Sequence, residues 1–298
     1  MDGLQALERI MKESPVPVLM VSSLTSEGGE ITRRALEMGA VDFIDKSSCH
    51  TTMDILDISE SLIQKIKVIA GVDLRKVVQS KPVRRSIPVS PVPLSVTVSD
   101  ERPSHLVAIG TSTGGPMSLE QVLTPLPANY PGAILIVQHM PVGFTSSLAE
   151  RMDRQCAMAV KEAEEGDTIL PGHIYIAPGG YHLKICRSIS KYSVVLSKNP
   201  CDMPHCPSVD VMMQSIAETW PGKVLGVIMT GMGNDGARGC RQMKQRGATI
   251  IAQDEASCVV FGMPREPIEK GIADVVKPLD DIADEIVRLA GEGVVACK

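Results

Sequence analysis

Aromatic residues are scarce in this chain of 298 residues, which has three Phe, four Tyr and one Trp. So few rings leave little platform for stacking single-stranded bases. Positive charge is not in excess either: 30 Lys and Arg stand against 35 Asp and Glu, for a formal net charge of -5. A mildly acidic surface does not attract a polyanion, so nucleic acid is not an expected partner. No apolar run approaches the roughly 20 residues that span a bilayer, which argues against membrane insertion. The eight cysteines include no C-x-x-C pair and follow no leader-like stretch, so reduced thiols in a cytoplasmic protein are expected. One group of soft ligands, Cys201-Asp202-Met203-Pro204-His205-Cys206, lacks a second ligand pair at zinc-finger spacing, so no metal is expected there.

What the chain does have is apolar substance, 44% of its residues, enough to fill the cores of two domains. It is organised around His105 to Gly115, where the apolar run Leu106-Val107-Ala108-Ile109 empties into a turn holding Ser112. Gly110-Thr111-Ser112-Thr113-Gly114 has the G-x-S-x-G spacing of a nucleophile elbow, whose glycines permit a sharp strand-to-helix reversal that exposes the serine hydroxyl. The same turn can also be read as a phosphate cradle before a helix N-terminus.

Along the chain, Leu4, Leu7 and Met11 repeat at helical steps over residues 2 to 12, with Asp2 placed to cap and Pro15 and Pro17 to stop the helix. A buried strand at Val18 to Val21, a helix from Gly28-Gly29 to Met38-Gly39, a strand at Val41 to Ile44 and a helix carrying Ile55, Ile58, Leu62, Ile66 and Ile69 follow. Helix, strand, helix, strand, helix is half of a doubly wound sheet whose inner edge lacks partners. Residues 75 to 103 contain five prolines, six basic residues and neither glycine nor aromatic, the composition of a semi-extended tether. From His105 onward, strand-like runs alternate with helical segments, which predicts a parallel sheet covered on both faces. Its strands are Leu106 to Ile109, Ala133 to Val137, Val224 to Met229 and Ala248 to Ala252. His173 to Ala177, His182 to Cys186 and Tyr192 to Leu196 are shorter and alternate with polar residues, as antiparallel edge elements do. A helix from Pro207 places Val209, Met213, Ile216 and Trp220 in the core.

In such a sheet the ligand crevice lies outside the carboxyl ends of the strands. Ser112 follows the first strand, His139 the second, and Asp235 the third, within Thr230-Gly231-Met232-Gly233-Asn234-Asp235-Gly236. A nucleophile, a base and an orienting carboxylate at three strand ends make a triad, here in the order Ser, His, Asp rather than the Ser, Asp, His order of α/β-hydrolases. Asp235 also fits the role of cap to a helix running from Arg238 to Met243. A nucleotide site would want an acidic residue closing the second strand, where Gln138-His139 stand instead. A catalytically inactive signalling scaffold is the other alternative.

Several motifs in one order then carry a family resemblance: Gly110 to Gly115, Gln138 to Thr145, Val160 to Ala163, Leu170 to Gly179, Pro207-Ser208-Val209-Asp210, Thr230 to Gly236 and Glu255 to Pro264. By these, residues 104 to 298 resemble the catalytic domain of the CheB family, the chemotaxis protein-glutamate methylesterases. Residues 1 to 74, with Met1-Asp2-Gly3-Leu4, Val18 to Ser23 and Gly39 to Lys46, resemble the back half of a flavodoxin-like response-regulator receiver domain, followed by the linker of residues 75 to 103. The resemblance implies a triad of Ser112, His139 and Asp235, and an oxyanion hole at the backbone of Thr113 and Met232. It implies no metal or organic cofactor, hydrolysis of glutamyl methyl esters on methyl-accepting chemotaxis receptors, and deamidation of glutamines on the same proteins. In the receiver portion, Ser22 matches the family's switch hydroxyl and Lys46 its phosphate-contacting lysine. The family's phosphoacceptor aspartate precedes the Met-Asp-Gly turn at which this sequence starts, which suggests a truncated gene model or an internal start, with a regulator that has lost its switch as the alternative. Control by a chemotaxis histidine kinase is therefore not expected, and acetyl phosphate should not stimulate the activity. Where many members carry His-Arg before the Pro-Ser-Val-Asp motif, this chain has His205-Cys206.

Overall fold

A computed structural model describes residues 2–22, 102–189 and 191–291, and between them residues 31, 34–35, 38–45, 59, 62–63, 65–67 and 69–70. Among the described residues from 105 onward, the main sheet is built on seven strands: β3 (His105–Thr111), β4 (Ala133–Gln138), β5 (Ala159–Glu162), β6 (His173–Ile176), β9 (Lys223–Ile228), β10 (Thr249–Gln253) and β11 (Val275–Lys277). Their order is β11-β10-β9-β3-β4-β6-β5, and every pairing is parallel. The expected doubly wound parallel sheet is present, with one correction. His173 to Ile176 is not an antiparallel edge element; β6 lies inside the sheet between β4 and β5. Its polar alternation misled because Tyr175 buries its ring while its hydroxyl donates to Thr168 O and accepts from Leu170 N. The antiparallel part is β7 (His182–Arg187) paired with β8 (Tyr192–Ser197), a separate two-stranded sheet.

Successive side chains of a strand point to opposite faces, and this alternation divides the core in two. Val107 and Ile109 of β3, with Ile134 and Ile136 of β4, face α2 (Gly115–Leu123), α3 (Phe144–Gln155) and α7 (Leu279–Gly291). Leu106, Ala108, Leu135 and Val137 face α4 (Val209–Thr219), α5 (Ala237–Gln245) and the β7-β8 pair. All seven β3 residues are buried, and each fully buried aliphatic chain contributes roughly 2 kcal/mol. The short helix α6 (Arg265–Glu269) leads to β11.

In the N-terminal part, α1 (Gly3–Glu13) starts from a capping box in which Asp2 accepts from Gln5 N at 2.8 Å and Gln5 Oε1 from Asp2 N at 3.1 Å. The strands β1 (Leu19–Ser22) and β2 (Asp42–Asp45) pair in parallel. Leu7, Ala35, Ala40 and Phe43 join the core that contains Phe144, and the rings of Phe43 and Phe144 lie 4.5 Å apart. Ile69 is buried as the helical face predicts, but Ile66 is half exposed. Ile55, Ile58, Gly28, Gly29, Lys46 and residues 75–101 of the linker lie outside the described residues, as does the side chain of Ser22. Among the described residues no helix is long and apolar enough to cross a membrane.

Candidate active site

The strands β9, β3 and β4 are immediate neighbours, so the segments leaving their carboxyl ends open into one crevice. Ser112 leaves β3, half buried; its backbone N donates to Thr230 O at 3.0 Å on the segment leaving β9. His139 leaves β4, and its N donates to Thr111 O at 3.0 Å. On the segment leaving β9, a Cβ added to Gly231 would lie 2.8 Å from Ser112 Cβ and 2.2 Å from Met263 Sδ. Glycine is needed there because the backbone itself is the wall against which the serine rests.

Asp235 Oδ2 lies 2.7 Å from His139 Nε2, with both side chains more than nine-tenths buried. The carboxylate does not cap α5, whose N-cap is Gly236 at φ 100 without a side-chain bond. It sits instead at the N-terminus of α4, accepting from Val209 N at 2.8 Å, Asp210 N at 3.0 Å and Ser208 Oγ at 2.9 Å. Orphan N–H groups and the positive end of the helix dipole both favour an anion at that place. Burial pushes the Asp235 carboxyl up, but the hydrogen bond and charge of His139 with the N–H groups of Asp210 and Val209 outweigh it and bring it to about 2. Asp210 returns the service to α5, accepting from Gly236 N at 3.0 Å and Gly239 N at 2.6 Å.

The other nitrogen of His139, Nδ1, is buried and has no hydrogen-bond partner among the described residues. A ring that gives Nε2–H to a carboxylate keeps its lone pair on Nδ1. His205 lies over this ring, with centroids 4.1 Å apart and planes at 26°. Burial, helped by the nearby charge of His139, pushes His205 down to about 4, so it covers the His139 imidazole as a neutral ring. The stretch from Cys201 to Cys206 thus gives its histidine to a ring stack. Cys201 and Cys206 are exposed free thiols, and among the described residues no group of three His, Cys, Asp or Glu is placed to hold a metal ion.

Thr113, buried, and Met232, half buried, stand on the segments after β3 and β9. Neither backbone N–H meets an acceptor among the described residues. Thr113 O accepts from Thr230 Oγ1 at 3.0 Å, while Thr113 Oγ1 donates to Asp42 Oδ2 at 2.8 Å. The Asp42 carboxylate also accepts from Lys65 Nζ at 2.7 Å.

Sequence reasoning singled out Ser112, His139, Asp235, Thr113 and Met232, and all five stand on the segments that leave the neighbouring strands β3, β4 and β9. It missed four participants: Ser208 as a hydrogen-bond donor to Asp235, His205 as a stacking partner, Asp42 from the distant β2, and Gln138. Gln138 carried a signal, being the polar residue that closes an otherwise apolar strand. Ser208 did too, standing before the helical pattern of α4 as an N-cap should. His205 stood out only within its soft-ligand stretch and Asp42 not at all, since both reach the site through tertiary packing.

A family model described as CheB methylesterase matches residues 107–286. The chain is 49% identical over 297 residues to protein-glutamate methylesterase/protein-glutamine glutaminase 3 of Burkholderia lata, spanning 98% of this chain and 81% of that protein. It is 48% identical over 296 residues to a protein-glutamate methylesterase/protein-glutamine glutaminase of Bordetella parapertussis, with the same coverage. Among solved structures, the CheB methylesterase catalytic domain of Thermotoga maritima is similar, at a TM-score of 0.60 and 44% identity, covering 64% of this chain and all of that one.

Proposed function

The chain belongs to the CheB methylesterase family, and from that premise we propose that it hydrolyses glutamyl methyl esters on chemotaxis receptors through Ser112, His139 and Asp235. The observation that carries this reading is the buried 2.7 Å contact between His139 Nε2 and Asp235 Oδ2 at the strand end adjoining Ser112. Ser112 Oγ attacks the ester carbonyl carbon while its proton passes to the free lone pair of His139, on Nδ1. Asp235 holds the tautomer and stabilises the imidazolium that forms. The N–H groups of Thr113 and Met232, without an acceptor among the described residues, face the charge that develops on the carbonyl oxygen; losing one such donor typically costs about 3 kcal/mol of barrier. Collapse of the tetrahedral species expels methanol, which takes the proton from His139, and leaves an acyl-serine. Water then attacks the acyl carbon, gives its proton to His139, and the second collapse returns that proton to Ser112 and frees the glutamate carboxylate. Deamidation of glutamine follows the same steps with ammonia as the leaving group. No step calls for a metal or an organic cofactor.

In this reading residues 104–298 carry the chemistry and residues 1–74 are a partial receiver joined through the linker of residues 75–103. The test is methanol release from methylated receptors, together with fluorophosphonate labelling. The parent should label at Ser112 and release methanol; Ser112→Ala should do neither. A Ser112→Ala chain that still released methanol would remove the reading, and a parent that neither labels nor releases methanol would be a scaffold.

A further inference from the structure

The side chain of Gln138 is buried, 2% exposed, at the last position of β4, and all of its polar atoms are engaged inside the candidate site. Its Nε2 donates to Ser112 O at 2.9 Å and to His139 O at 3.0 Å. Its Oε1 accepts from Thr111 Oγ1 at 2.7 Å. The amide orientation is fixed by these partners, because two carbonyl oxygens need donors and only the NH2 end supplies two. Space has been kept for this group: a Cβ at Gly115 would fall 1.9 Å from Gln138 Oε1. One neutral side chain therefore ties the backbone of the nucleophile to the backbone of the base.

The bond to Ser112 O has a second effect. In a trans peptide the C=O and the following N–H point in opposite directions. Ser112 O is held by Gln138 Nε2 and by Gly115 N, the latter at 2.8 Å, and so the N–H of Thr113 is turned the other way. That N–H is the donor without an acceptor among the described residues, on a buried residue. An unmade hydrogen bond on a buried donor is costly unless a ligand supplies the acceptor.

We propose that Gln138 is a positioning residue that locks the Ser112–Thr113 peptide with its N–H presented to the reacting carbonyl oxygen. This rests on the Ser112 reading above. Without the amide, Ser112 O keeps only its bond from Gly115 N, the peptide is held less firmly, the donor is misaimed for part of the time, and Ser112 and His139 lose the link that Gln138 makes between their backbones. The cost falls on the transition state, where the negative charge forms, and not on substrate binding.

The experiment uses the full chain and methylated receptor, with methanol release followed across pH. Gln138→Met keeps the volume and removes the donors. Its kcat should fall by roughly 10²-fold, as for a lost oxyanion donor, with KM and the midpoint of the kcat against pH profile both unmoved and the far-ultraviolet circular dichroism unchanged. Thr111→Val, nearly isosteric, removes only the hydroxyl that orients the amide, and should lower kcat by a smaller factor, about 5-fold to 10-fold. A folded Gln138→Met chain with kcat within about threefold of the parent overturns the proposal. So does a kcat loss that comes with a displaced pH midpoint, which would mean that Gln138 acts through the basicity of His139. Should Gln138→Met fail to fold, an undiminished kcat in Thr111→Val overturns it. Ser112→Ala separates the levels: inactive Ser112→Ala with normal Gln138→Met removes only this inference, whereas active Ser112→Ala removes the underlying reading with it.

Discussion

Asp235 combines two roles that the sequence offered as alternatives. It contacts the imidazole of His139 and it caps a helix, but the helix is α4 and not the α5 that follows it in the chain. A cap is a local matter when the carboxylate and the helix are adjacent in sequence, and a tertiary one when 25 residues separate Asp235 from Asp210. Asp235→Asn keeps much of the packing but offers the imidazole an amide, which disturbs the tautomer. In proteins with this constellation such a change lowers kcat about 10⁴-fold. The expected result here is a loss of that order in methanol release at pH 7, with labelling of Ser112 by fluorophosphonate slowed in parallel. Ser112, His139 and Asp235 were legible as candidates because each followed an apolar run or stood in a glycine-rich turn, whereas Thr113 and Met232 came from the family resemblance alone. Gln138 was equally visible but has no chemistry of its own, so only its bonds give it a role.

At the scale of elements, β2 reaches the crevice. Phe43 packs its ring on Phe144 of α3, and Asp42, one residue earlier, takes the Thr113 hydroxyl as a hydrogen-bond donor. Thr113 is the residue whose N–H is proposed to face the oxyanion, and in that reading β2 places a carboxylate beside the place where a glutamyl side chain would be processed. Lys65 neutralises part of that charge and also donates to Phe43 O at 3.1 Å. Asp42→Ala removes the group that occupies Thr113 and relaxes the hold of β2, and kcat/KM on methylated receptor should rise several-fold with little change in stability. An unchanged or lower kcat/KM would show that β2 does not obstruct the site. The strand itself was predicted within one residue from its apolar run. That it docks on α3 was not predicted, because nothing in four residues names the surface against which they will pack.

Across the whole molecule, His105 links acidity to folding. It opens the central strand, 1% exposed, with Nε2 at 2.7 Å from Tyr130 Oη and Nδ1 at 2.8 Å from Ser104 Oγ. Burial, with the charge of Lys223 adding to it, brings its pKa from 6.5 down to about 4. Between these values the unfolded chain binds a proton that the folded chain does not, so stability is full above pH 6.5 and falls as pH drops towards 4. The shift is worth roughly 3 kcal/mol at its limit. Asp235 works in the same direction in a lower window, from 3.8 to about 2, and so does not overlap. Urea unfolding at pH 7 and pH 5 should show the parent losing stability on acidification and His105→Gln losing less. Equal losses would place the sensitivity elsewhere, with His205 the next group in the same window.

The sequence by itself determined that this is a mainly parallel α/β protein, because near-continuous apolar runs such as Leu106 to Ile109 and Ala133 to Val137 need cover on both faces. It also determined which strand ends carry a hydroxyl, an imidazole and a carboxylate, since those residues sit where apolar runs stop. It did not determine the strand order, and the order brought β9, β3 and β4 together and moved β6 into the sheet. Nor did it determine the closure of the site by Gln138, Ser208, His205 and Asp42. Those contacts depend on distances between segments far apart in the chain, and hydrogen bonds of 2.7 to 3.0 Å are set by how packed layers meet, which a local pattern of residues does not encode.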